Sequence, residues 1–70
     1  MKASEIKAII AVADRSFEDY SISLVLRDRS EQHKLKFKDV FGTAVVFEWP
    51  SSLLCLDPHD ILRMNIVKSS

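Results

Sequence analysis

The chain has one glycine, one cysteine, two prolines and no surplus of either charge in its 70 residues. Each scarcity excludes something. A single glycine, Gly42, cannot form a phosphate-cradling loop, and neither G-x-S-x-G nor H-E-x-x-H occurs. A single cysteine, Cys55, rules out an intrachain disulfide, and one Cys with two His is a poor ligand set for structural zinc. Ten basic and ten acidic side chains cancel, which speaks against a general nucleic-acid binder and against a polybasic membrane-surface protein. No apolar run approaches the roughly 20 residues needed to span a bilayer. Residues 1–16 make a poor signal peptide, because Glu5 and Lys7 interrupt the front of a short apolar run. The expectation is a soluble, cytoplasmic protein, and a lone buried cysteine suits a reducing compartment.

What the chain does have is apolar character, with 47 % of its residues hydrophobic. A chain of this length makes one domain, residues 1–70, and buries only about 60 % of the surface its unfolded form exposes. Without a disulfide or a metal, the remaining sources of stability are a dense apolar core and association.

The organising stretch is residues 34–49. In its first half Lys34, Lys36 and Lys38 alternate with Leu35 and Phe37; in its second, Thr43, Val45, Phe47 and Trp49 alternate with Ala44, Val46 and Glu48. Period-2 alternation with β-branched and aromatic residues reads as two half-buried strands, joined by a turn at residues 39–42 in which Gly42 is free to take positive φ. Before it, residues 21–28 read as a strand with Ile22, Leu24 and Leu26 facing in. A hairpin with residues 34–39 follows, its inner face completed by Leu35 and Phe37. Pro50 ends the strand at Trp49, and residues 53–56, LLCL, form a short apolar strand in which Cys55 is expected to pack in the core.

Two segments admit two readings. Residues 4–14 make either a strand, with Ile6, Ala8, Ile10 and Val12 on one face, or a helix capped by Ser4 with Ile6, Ile9, Ile10 and Ala13 as its stripe. The strand is preferred, paired with the segment that follows it. Residues 57–60, DPHD, make a turn or a helix start. Alternation of Leu62, Met64 and Ile66 with polar neighbours favours a terminal hairpin. The fold expected is therefore mainly β: an antiparallel meander of five or six short strands, curled or barrel-like, the alternative being α+β with one terminal helix.

Chemistry is thinly represented. Cys55 and His59 could pair as thiol and base, yet the apolar run around Cys55 points to packing. The serines near His33 lack an orienting carboxylate at a motif spacing, and Asp57, His59 and Asp60 are explained by turn chemistry rather than by a metal. No enzyme, cofactor or metal is expected. The basic face is more suggestive: Lys34, Lys36 and Lys38 would project about 6.8 Å apart, joined by Arg27 from the preceding strand, with Phe47 and Trp49 as aromatic anchors. A single flat sheet cannot bury both faces of such apolar strands, so either the sheet curls into a barrel or sandwich, or one face is an interface. The alternating strand running into residues 37–40, F-K-D-V, loosely resembles small bacterial domains, among them toxin-immunity-type proteins. The reading is a non-catalytic protein–protein interaction module (a small inhibitor, immunity-type protein or accessory subunit) that presents a sheet face or edge to a protein partner or to itself. The alternative is a weak single-stranded nucleic-acid binder using the basic face.

Overall fold

The computed structural model describes residues 1–69. A helix, α1 (Ala3–Ser16), precedes five strands: β1 (Tyr20–Leu26), β2 (Glu31–Phe41), β3 (Ala44–Trp49), β4 (Ser52–Leu56) and β5 (Ile61–Lys68). A single 3-10 turn, Pro58–Asp60, separates the last two. The strands form one antiparallel sheet in the order β4-β3-β2-β1-β5. The mainly-β expectation holds, as do the β1–β2 hairpin and the strand end at Pro50.

The N-terminal segment is a helix, not the preferred strand. Ile6, Ile10 and Ala13 are buried at i, i+4 and i+7, the spacing that puts one helical face on the core. The four β-branched side chains from Ile6 to Val12 cost a helix little, and that cost is outweighed by burial of this face. The helix begins two residues earlier than a Ser4 cap implies, with the Lys2 N–H donating to Glu5 Oε1 at 3.0 Å.

Residues 61–68 are a strand as expected, but their partner is β1 rather than β4, so there is no terminal hairpin. Asp57 accepts from the His59 N–H at 2.9 Å and Pro58 opens the 3-10 turn, which combines both readings of the DPHD segment. This connection also reports the sheet's shape. In a flat sheet β4 and β5 would stand about 19 Å apart, four strand spacings. Five residue steps from Leu56 to Ile61 reach at most about 18 Å fully extended, and a 3-10 turn shortens them. The sheet is therefore curled but, contrary to the barrel-like expectation, not closed, because β4 and β5 are its unpaired edges.

Curling is achieved with almost no glycine. The β1–β2 register slips by one residue between Ile22 and Leu24, and Lys34 there has φ 61°. Further slips fall between Phe37 and Asp39 in β2, and between Val25 and Leu26 against β5. Each inserts an extra residue that bends the strand and sharpens its twist. Gly42 takes φ 58° in the β2–β3 turn, as anticipated, although β2 runs on to Phe41 before turning.

The concave face holds the core: Ile22, Leu24, Leu35, Val45, Phe47, Ile61 and Met64 from the sheet, with Ile6 and Ile10 from α1. Phe37 and Phe47 meet edge-to-face with ring centroids 6.1 Å apart. Tyr20 Oη donates to Asp14 Oδ1 at 2.6 Å, tying the last turn of α1 to β1.

Candidate functional site

Register slips dismantle the lysine stripe. Lys34 occupies one irregularity and Lys38 the other, so the three lysines do not project as one evenly spaced row. Lys36 is committed within the fold. Its Nζ donates to Asp19 Oδ1 at 2.7 Å and to the Tyr20 carbonyl, and lies 5.8 Å from the Tyr20 ring centre. The Lys36 hydrogen bond and charge hold the Asp19 carboxyl below its ordinary value. Arg27 does not join the lysines. Its Nε donates to the His59 carbonyl at 2.6 Å, and it lines a hollow with Leu26, Asp28, Leu56 and Asp60.

The two aromatic anchors part company. Phe47 is fully buried in the core and offers no surface, because it shares the concave face with Val45. Trp49, on the same strand face but beyond the core's end, is 45 % exposed. It lines a shallow hollow with Lys34, Lys36, Glu48 and Pro50. Of the six residues singled out, the fold thus brings together Lys34, Lys36 and Trp49.

Trp49 also leads into β4, the feature that sequence reading undervalued. β4, Ser-Leu-Leu-Cys-Leu, pairs with β3 in an unbroken register from Val45↔Leu56 to Trp49↔Ser52 and has no strand on its other side. It contains no charged residue. Leu54 and Leu56 lean toward the core and are half-buried, while Leu53 is 60 % exposed. Cys55 is exposed as well, not packed in the core as expected, since it sits opposite Val46 on the face turned away from α1. Natural edge strands are usually blunted by charges, proline or bulges. β4 has none of these along its length.

One constellation that motif spacing does not reveal lies on β1 and β2. Ser23 Oγ is 2.6 Å from His33 Nδ1, and His33 Nε2 is 3.5 Å from Glu31 Oε1. Glu31 and His33 are two residues apart in one strand and hence on one face, a signal that period-2 reading could have used. The order hydroxyl, imidazole, carboxylate allows proton exchange between Ser23 and water. The His33 and Glu31 side chains are about three-fifths exposed. Acyl transfer needs donors aimed at a developing oxyanion in a site shielded from water. The solvent-facing side of the curled sheet provides no such shielding for these groups. Among the described residues no group of three or more His, Cys, Asp or Glu is placed to hold a metal ion, and no helix is long and apolar enough to cross a membrane.

Compared with family models, curated proteins and solved structures, the chain matches none.

Proposed function

We propose that this protein is a non-catalytic protein–protein interaction module whose working surface is the β4 edge with Trp49 beside it. The observation that carries this reading is an edge strand that is regular, uncharged, apolar and unpaired. Such an edge supports strand addition: main-chain hydrogen bonds to an incoming strand supply affinity, and alternate side chains supply selectivity. Trp49 and Leu53 are the exposed apolar anchors, and Lys34 with Glu48 forms a charged rim that sets orientation. An inhibitor, an immunity-type protein or an accessory subunit could each work through such an edge. An exposed unpaired thiol, Cys55, is compatible with a reducing cytoplasm.

The single-strand nucleic-acid reading draws less support. Lys36 holds Asp19, Phe47 is buried, and Arg27 stands apart from the lysines.

Affinity capture from nuclease-treated extract tests the proposal, comparing the wild type with Leu53→Lys on β4 and Leu62→Lys on β5. Both side chains are more than half exposed, so both variants should fold. The expected result is a stoichiometric partner, another protein or an untagged copy of this chain, kept by Leu62→Lys and lost from Leu53→Lys. Equal loss from both variants, or nothing retained by the wild type, overturns it.

A further inference from the structure

We infer that the strand taken up by the β4 edge is β4 of a second copy, joined antiparallel about a two-fold axis at Leu54, so that two sheets become one of ten strands. This rests on the reading of β4 as the working edge and names its partner. A two-fold contact requires a surface complementary to itself, and β4 meets that requirement residue by residue.

With the axis at Leu54 the strand pairs over its whole length: Leu54 with Leu54, Leu53 with Cys55, and Ser52 with Leu56 of the second copy. Directly opposed residues share a face. On the side facing away from α1, Leu53 and Cys55, both exposed in the single chain, cover each other twice. On the other side, small Ser52 lies between Trp49 of one copy and Leu56 of the second, because Trp49 pairs with Ser52 across the β3–β4 ladder. The half-exposed indole therefore gains an apolar neighbour where the single chain has none beyond Ser52.

Charge permits the same pairing. No charged residue lies within β4, and continuing the register sets Asp57 against Ser51 and Pro58 against Pro50 of the second copy, so no like charges meet. A formal net charge of zero removes long-range repulsion between copies. β5, with Arg63 and Lys68 and a register slip at its start, lacks this neutrality. A five-residue edge with one flanking tryptophan falls below the roughly 1,200 Å² of a standard interface, so the expected dissociation constant is in the micromolar range.

Sedimentation equilibrium and the emission of the single tryptophan, both against protein concentration, test the inference. The expectation is a monomer–dimer transition accompanied by a blue shift of Trp49 emission. Leu53→Lys should raise the dissociation constant about tenfold or more, and Leu62→Lys should leave it unchanged. The register has its own test. Leu53→Cys places a thiol directly opposite Cys55 of the second copy, within disulfide range, whereas the two native Cys55 residues stand diagonally, beyond the roughly 7 Å limit. Mild oxidation should therefore cross-link the Leu53→Cys chain and not the wild type. A monomer at every concentration, or a wild-type Cys55–Cys55 cross-link in place of the expected one, overturns the inference. If the chain stays monomeric while capturing another protein through β4, the interaction-module reading survives without it; if it captures nothing, both fall.

Discussion

The two edges of the sheet are built from similarly apolar sequence and yet are opposites. β5 is held at both ends. Ile61 is fully buried, Arg27 N–H donates to the Asp60 carbonyl at 2.9 Å, and Ser69 N–H donates to Asp19 at 3.2 Å. The Met1 ammonium donates to the Pro58 and Ile61 carbonyls at 3.0 Å each. Its core face adjoins α1, where Ile66 lines an apolar groove of about 310 Å³ with Ile9, Val12 and Phe17. β4 is held by its ladder to β3 and by Leu54 and Leu56. The difference teaches that edge character is set by what a strand is tied to more than by its hydrophobicity. An edge fixed by packing contributes to stability, and an edge fixed by one ladder is available for contact.

The sharpest way to break this comparison is to truncate one side chain on each edge. Ile61→Ala should cost about 2–4 kcal/mol in urea unfolding, because it opens a cavity in a fully packed site. Leu53→Ala, exposed in the single chain, should stay within about 0.5 kcal/mol at protein concentrations too low for pairing through β4. Similar costs at both positions would mean that the β4 edge is covered in the folded protein.

A smaller effect sharpens the account of the helix-and-β1 side. Tyr20→Phe removes the bond to Asp14 and should cost about 0.5 kcal/mol at neutral pH. Burial, and then the bond to Asp14, push the Tyr20 hydroxyl up from 10.0 to about 12. Its neutral form is thus favoured in the folded state, and that stabilisation is complete below pH 10.0 and lost as pH rises through about 12. The wild type should lose more stability than Tyr20→Phe over that window, and parallel alkaline curves would contradict it.

A change of similar size and opposite sign is expected midway between the edges. Lys34 holds a left-handed backbone at φ 61°, which costs a non-glycine residue about 1 kcal/mol. Lys34→Gly should therefore raise stability by about 0.5 kcal/mol after glycine's greater entropy loss. A destabilised variant would show that the lysine stem contributes more packing than its exposure suggests.

Much of the fold was legible. Alternation marked β1 to β3 and β5 and the inner set Ile22, Leu24 and Leu35, because a half-buried strand imposes its period on local sequence, while β4 showed only as a short apolar run. The stripe of α1 was visible too, but a run of eight residues containing Ile6, Ile9, Ile10 and Val12 satisfies both periods. The choice fell to packing against a sheet that does not adjoin it in sequence. Of the site, Trp49 and Lys34 were readable as exposed, whereas the burial of Phe47, the engagement of Lys36 by Asp19 and the exposure of Cys55 were not. Each depends on a neighbour from a distant part of the chain.

Sequence by itself therefore determined most of the local elements, though not the N-terminal helix: where the five strands run, that Pro50 stops one, that Gly42 turns the chain, and that no intrachain disulfide supports it. The tertiary structure alone decided which strands became edges. A four-residue connection after β4 carries the chain across a curled sheet to pair β5 with β1, leaving β4 open. Strand pairing is a competition between partners remote in sequence, settled by how the sheet bends and what α1 covers, and local periodicity carries no record of its outcome.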